Sequence, residues 1–153
     1  MTKKYKDIKS SALKDIAEFM CLAARTAPKA KGRDNLVIVI LEEKDKKRVM
    51  TRMKKIGQDK NRPGFLRDAD NIKKADYIIV AGTLSSPLGL DCGFCGYPPC
   101  RELKKAKGVC AYNSLDLGIA MGSAASTAAR FHADNRLMYS VGKAAIECGL
   151  LED

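Results

Sequence analysis

Leu13, Ile16, Ala17, Met20, Ala23 and Ala24 recur at intervals of three and four, the repeat of a single helical face. Ser10 and Ser11 precede this stripe as candidate N-caps, because a serine hydroxyl accepts from the free N–H groups of a first turn. Pro28 follows it, so the spacing predicts a helix ending near Ala27 and a loop over "APKAKGRDN". "LVIVIL" (36–41) is short, apolar and rich in β-branched residues, the pattern of a buried strand. Residues 44–60 return to helical spacing, with Val49, Met50, Met53 and Ile56 on one side and Lys or Arg on the other. "NRPGF" then reads as a loop, "RDADNIKKA" as a short helix and "DYIIVAG" (76–82) as a second buried strand. After residue 110 two further helices are expected, over "NSLDLGIAMGSAASTAARF" and "NRLMYSVGKAAIECGL". The pattern describes an α+β fold, a helix-rich single domain over residues 1–153 with a small central sheet.

Composition narrows the class. With 153 residues the chain can bury a core without disulfide staples. No apolar stretch approaches the roughly 20 residues of a membrane span, and "MTKKYKDIKS" has no apolar segment behind its lysines, so a soluble, cytoplasmic protein is expected. The net charge of +10 is uneven: residues 1–100 carry 21 Lys and Arg against 12 Asp and Glu, and residues 111–153 carry 3 against 5. A basic front of this kind suits nucleic acid, a phosphate-bearing cofactor or an acidic redox partner. Nucleic acid is the weakest of the three, because there is no Trp and no aromatic interleaves with the basic runs to stack a base.

Cysteine carries the clearest chemical signal. Cys92, Cys95, Cys100 and Cys110 fall in nineteen residues as C-x2-C-x4-C-x9-C, while Cys21 and Cys148 stand apart inside helical patterns as candidate core residues. In a reducing compartment such a cluster marks a metal or redox site more often than disulfides. Four thiolates can complete the coordination of a 4Fe-4S cluster, or bind structural zinc, although zinc frames usually set two C-x2-C-like pairs apart. Gly93 and Gly96 allow the sharp turns three ligands in one loop require. Pro98 and Pro99 restrict that loop before Cys100. "RELKKAKG", between the third and fourth cysteines, adds Arg101, Lys104, Lys105 and Lys107, which would offset the negative charge of metallated thiolates or face an acidic partner. The lone His132 stands at a helix end and reads as a surface cap. Gly118 and Gly122 lie in a small-residue helix, where glycine costs about 1 kcal/mol against alanine, so close packing, a homodimer seam or a cofactor against that face is expected.

"DCGFCGYPPC" resembles the small 4Fe-4S domain of corrinoid iron-sulfur proteins and electron-transport complex subunits. Together with "AARTAPKAKGRDNL", "PLGLDCGFCG", "DLGIAMGSAAS" and "DNRLMYSVGKAA", it makes nearly the whole chain similar to an uncharacterised prokaryotic family of ferredoxin-domain proteins. The resemblance implies a 4Fe-4S electron-transfer protein with Cys92, Cys95, Cys100 and Cys110 as ligands, working with a redox partner protein or a small oxidised substrate. A fainter likeness to the nitroreductase fold implies a dimer and an FMN site. The flavin would lie between "RTAPKAKGRDN", with Arg25, Lys29, Lys31 and Arg33 as phosphate-compatible charges, and the helix face around Gly118 and Gly122. In that case the protein is a flavin-dependent reductase whose cluster relays electrons; a zinc-stabilised binding module is the other alternative.

Overall fold

The computed structural model describes residues 2–151; the ends of the 1–153 reading, Met1, Glu152 and Asp153, lie outside them. The elements run α1 (Tyr5–Thr26), a 3-10 turn (Ala30–Gly32), β1 (Leu36–Ile40), α2 (Glu43–Asp59), α3 (Pro63–Lys73), β2 (Ile79–Thr83), α4 (Cys100–Lys105), α5 (Ala111–Arg130) and α6 (Tyr139–Glu147). This is the helix-rich α+β arrangement with a small sheet that the hydrophobic pattern calls for. β1 and β2 pair antiparallel, Leu36 opposite Thr83 and Val39 opposite Val80.

Strand alternation divides the core between two helix groups. Leu36 and Ile38 join Ala24 of α1, Ala27 just beyond its end, and Ala120 and Ala124 of α5. Val39 and Val80 turn the other way, into Val49, Met53 and Ile56 of α2, Phe65, Ala69 and Ile72 of α3, and Val141, Ala144 and Ala145 of α6. The strands are mostly half-buried rather than fully buried, with only Leu36 of β1 and Val80 of β2 fully covered. Where α2 meets α3, a Cβ on Gly57 would lie 2.7 Å from Leu66 Cδ2, so the two helices approach over a bare backbone.

Several boundaries differ from the sequence pattern. The second strand, expected over 76–82, begins only at Ile79 and runs to Thr83. α1 starts at Tyr5, not at Ser10 or Ser11, with Lys4 as an N-cap that makes no side-chain bond. Its first turns are exposed and carry Asp7, so they rest on lysine's helix propensity and on an acid at the positive end of the helix. "NRPGF" is not all loop, since Pro63 opens α3 at the first helical position, where its missing N–H costs nothing. α6 begins at Tyr139 instead of Asn135, because residues 133–138 carry the chain from one helix group to the other before Val141 can be buried. Among the described residues no helix is long and apolar enough to cross a membrane.

Candidate metal centre

From Thr83 the chain runs without regular structure to Cys100, and three anchors fix where it goes. Asn113, on the first turn of α5 and 1% exposed, donates to the carbonyls of Leu84 and Ser86, both at 2.8 Å, and accepts from Asn35 Nδ2 at 3.0 Å. Lys31 Nζ donates to Leu88 O at 3.3 Å. Both oxygens of the buried Asp116 accept the N–H of Ala30 at 3.1 Å, tying the turn that carries Lys31 to α5. Leu88 is thereby seated in a small core with Leu103 of α4 and Cys110.

Above that core the backbone reverses in steps. Asp91, Gly93 and Gly96 take φ of 47°, 69° and 83°; two are glycines, and aspartate is among the residues that tolerate this left-handed region best. Gly96 N–H donates to Gly93 O at 2.8 Å to close the turn. Asp91 clasps Cys100 twice: its Oδ1 accepts the Cys100 N–H at 2.6 Å, and its own N–H donates to Cys100 Sγ at 3.3 Å. The first contact satisfies a free N–H at the start of α4; the second strengthens as the thiol becomes a thiolate.

The outcome is a narrow pocket of about 10 Å3 whose lining contains Cys92, Cys95, Cys100 and Cys110, with Leu88, Leu90 and Tyr112 among its walls. Exposure grades across it, from buried Cys110 through half-buried Cys95 and Cys100 to exposed Cys92. Cys110 arrives as the N-cap of α5, so the short gap after Cys100 is spanned by α4 folding back. Among the described residues no three Cys, His, Asp or Glu side chains converge tightly enough to form the site of a single metal ion; the four thiols share the cavity wall without meeting at a point.

The remaining cysteines stay apart. Cys148 packs against the α2, α3 and α6 core, and Cys21 is half-buried on α1, where burial pushes its thiol up. His132 closes α5 through its backbone, its N–H donating to Ala129 O at 3.1 Å from a left-handed φ of 56°.

The residues named for a flavin fall in several places. Arg25 bonds Asp34 Oδ2 and Leu36 O, both at 2.8 Å. Burial pushes the Asp34 carboxyl up, but bonds from Arg25 and the Leu36 N–H, with the charges of Arg25 and Lys29, outweigh it and hold the group below the usual carboxylate range. The Lys29 side chain is 5% exposed, and its ammonium donates to Ala24 O and Ala27 O at the end of α1, a basic cap on carbonyls that lack helical partners. Lys31 holds the Leu88 loop, and Arg33 is exposed. Gly118 and Gly122 lie on the exposed side of α5, and a Cβ on either would meet nothing within 4 Å. They are therefore not seams of packing within the chain, which α5 makes instead through Ala120, Ala124 and Ala128. None of these six residues lines the cysteine cavity or the larger cleft near Lys14, Glu42 and Asp76.

Sequence spacing located the cysteines but missed Asp91 and Asn113. A positive φ at Asp91 and a buried amide on an otherwise small-residue helix are signals that show only in three dimensions.

Residues 106–152, which hold Cys110, α5 and α6, match a family described as "Uncharacterized protein containing a ferredoxin domain (DUF2148)". An uncharacterized protein of the archaeon Archaeoglobus fulgidus is 37% identical over 158 aligned residues, covering 96% of this chain and 84% of its own length. No solved structure matches significantly.

Proposed function

Because the chain belongs to the family of uncharacterized proteins containing a ferredoxin domain, we propose that it is an electron-transfer protein holding a 4Fe-4S cluster at Cys92, Cys95, Cys100 and Cys110. The observation that carries this reading is that the four spaced cysteines, and neither of the other two, line one cavity. Such a cluster, when bound, accepts and releases single electrons at a potential set by its charge, its hydrogen bonds and its exposure to solvent.

The chain's own residues supply those settings. Gly93 and Gly96 let the loop turn so that Cys92, Cys95 and Cys100 face inward, and the Asp91 N–H gives the Cys100 sulfur a donor. Leu88 and Leu90 line one side with hydrocarbon and limit water there, while the exposed Cys92 leaves one edge of the cavity near the surface, where electrons enter and leave over a short path. Zinc frames usually set two C-x2-C-like pairs apart, whereas here only Cys92 and Cys95 have that spacing and Cys100 and Cys110 follow singly, which suits a cluster better.

Anaerobic purification followed by a visible spectrum and metal analysis tests the reading. A brown protein with broad absorption, iron and acid-labile sulfide is expected, at about four of each per chain. Colourless protein with about one zinc and no sulfide overturns it in favour of the zinc-stabilised module.

A further inference from the structure

The surroundings of the cysteine cavity are apolar and basic at once. Leu84, Leu90, Phe94, Tyr97 and Val109 are all at least 40% exposed and all come from the segment that builds the cavity. Leu90 and Phe94 line the cavity itself, Tyr97 lies two residues after Cys95, and Val109 directly precedes Cys110; exposed apolar side chains that cluster, unlike scattered ones, mark a contact surface. Beside them α4 rises from Cys100. It buries Leu103 against Leu88 and Cys110, so helical geometry sends Arg101 and Lys105 to the opposite, outer side, where their side chains are 78% and 71% exposed. Glu102, the one acid of this helix, lies 3.4 Å from Arg101 and 3.0 Å from Lys105. Lys104 and Lys107 are exposed and make no ion pair among the described residues.

The side of α4 turned toward the cavity is thus leucine; Arg101 and Lys105 lie on its far side and Lys104 on its flank. A helix is about 10 Å across with its side chains, close to the screening length of physiological salt, so these charges act outward on an approaching molecule more than inward on the thiols. We propose that this collar docks a small acidic electron-carrier protein. The α4 cations steer its approach, and Leu90, Phe94, Tyr97 and Val109 make the close contact. The proposal rests on the cluster reading, since it places a carrier over the exposed Cys92 edge. Electron-transfer encounters use small, short-lived interfaces, and a chain of net charge +10 repels its own copy more readily than it pairs with it.

An acidic plant-type 2Fe-2S ferredoxin serves as the probe, with affinity measured anaerobically by fluorescence anisotropy at low and physiological ionic strength. Lys104→Glu/Lys105→Glu is expected to weaken binding roughly tenfold at low salt and to flatten its salt dependence. Lys44→Glu/Lys55→Glu, the same charge change on exposed positions of α2, is expected to alter affinity less than about twofold. Val109→Ser, which removes the apolar contact without adding charge, is expected to weaken binding while leaving the salt dependence in place.

Equal losses in the two double variants would reduce the effect to net charge and overturn the docking face. So would an affinity indifferent to Lys104→Glu/Lys105→Glu, or concentration-dependent self-association abolished by Phe94→Ala, which assigns the collar to a second copy. Iron and sulfide counts on the same samples report separately on the cluster: brown protein with no α4-dependent binding overturns the docking alone, and colourless protein overturns the reading beneath it.

Discussion

Asn113 shows how much of the site hangs on one buried side chain. Its amide supplies the partners of two loop carbonyls, Leu84 O and Ser86 O, and an orphaned buried polar group costs about 1–3 kcal/mol. Asn113→Ala should therefore lower stability to urea by about 2–3 kcal/mol and lose iron faster to a chelator, because the loop carrying Leu88 is freed; unchanged iron retention would show that this anchor does not position the cavity. Asp68 makes a second residue-level case. Burial pushes its carboxyl up, but Ser140 Oγ at 2.6 Å and Arg67 outweigh that and leave it below the usual range. A depressed folded pKa means the stabilisation is complete above the unfolded value, near 4, and is lost as pH falls through the lower folded value. Stability should accordingly hold at neutral and mildly acidic pH and decline below about pH 4, with a shallower decline in Ser140→Ala, which removes the hydroxyl donor; identical pH profiles would contradict the role given to the pair.

α4 and α5 bring the fourth cysteine to the other three. α4 is only six residues long, with Leu103 as its one buried side chain, so its position depends on the small core it shares with Leu88 and Cys110. Leu103→Ala should cost about 2–5 kcal/mol and reduce cluster content, while Ile8→Ala on the exposed start of α1 should change neither. A Leu103→Ala protein with full stability and full iron would mean that α4 is not held by this contact. These elements also show which features could be read from the sequence. "LVIVIL" announced a strand through its β-branched apolar run, and the Val49, Met53, Ile56 stripe announced a helix because burial there follows local periodicity. The first turns of α1, the helical Pro63 and the late start of α6 depend on propensity without burial, on a missing N–H and on which core a helix must reach. Periodicity reports none of these.

Across the whole molecule, chemistry and charge were legible to different depths. Cys92, Cys95, Cys100 and Cys110 could be picked out together because metal-ligand spacing is local, and the fold lines one cavity with the same four. The uses of Arg25 and Lys29 could not, because nothing in "RTAPKAKGRDN" says that one guanidinium reaches Asp34 and Leu36 O, or that one ammonium ends on the last carbonyls of α1. Gly118 and Gly122 likewise suggested close approach, yet both face outward from the described chain.

The central claim is that four particular thiols hold one iron-sulfur cluster. Its most direct test is the count of iron and acid-labile sulfide in six anaerobically prepared single Cys→Ser proteins. Substitution at Cys92, Cys95, Cys100 or Cys110 should lower both counts together, most of all at Cys110 in its buried position, while Cys21→Ser and Cys148→Ser keep the wild-type counts. Equal losses at Cys21 or Cys148, or full counts after substitution at two or more of the four, would contradict it.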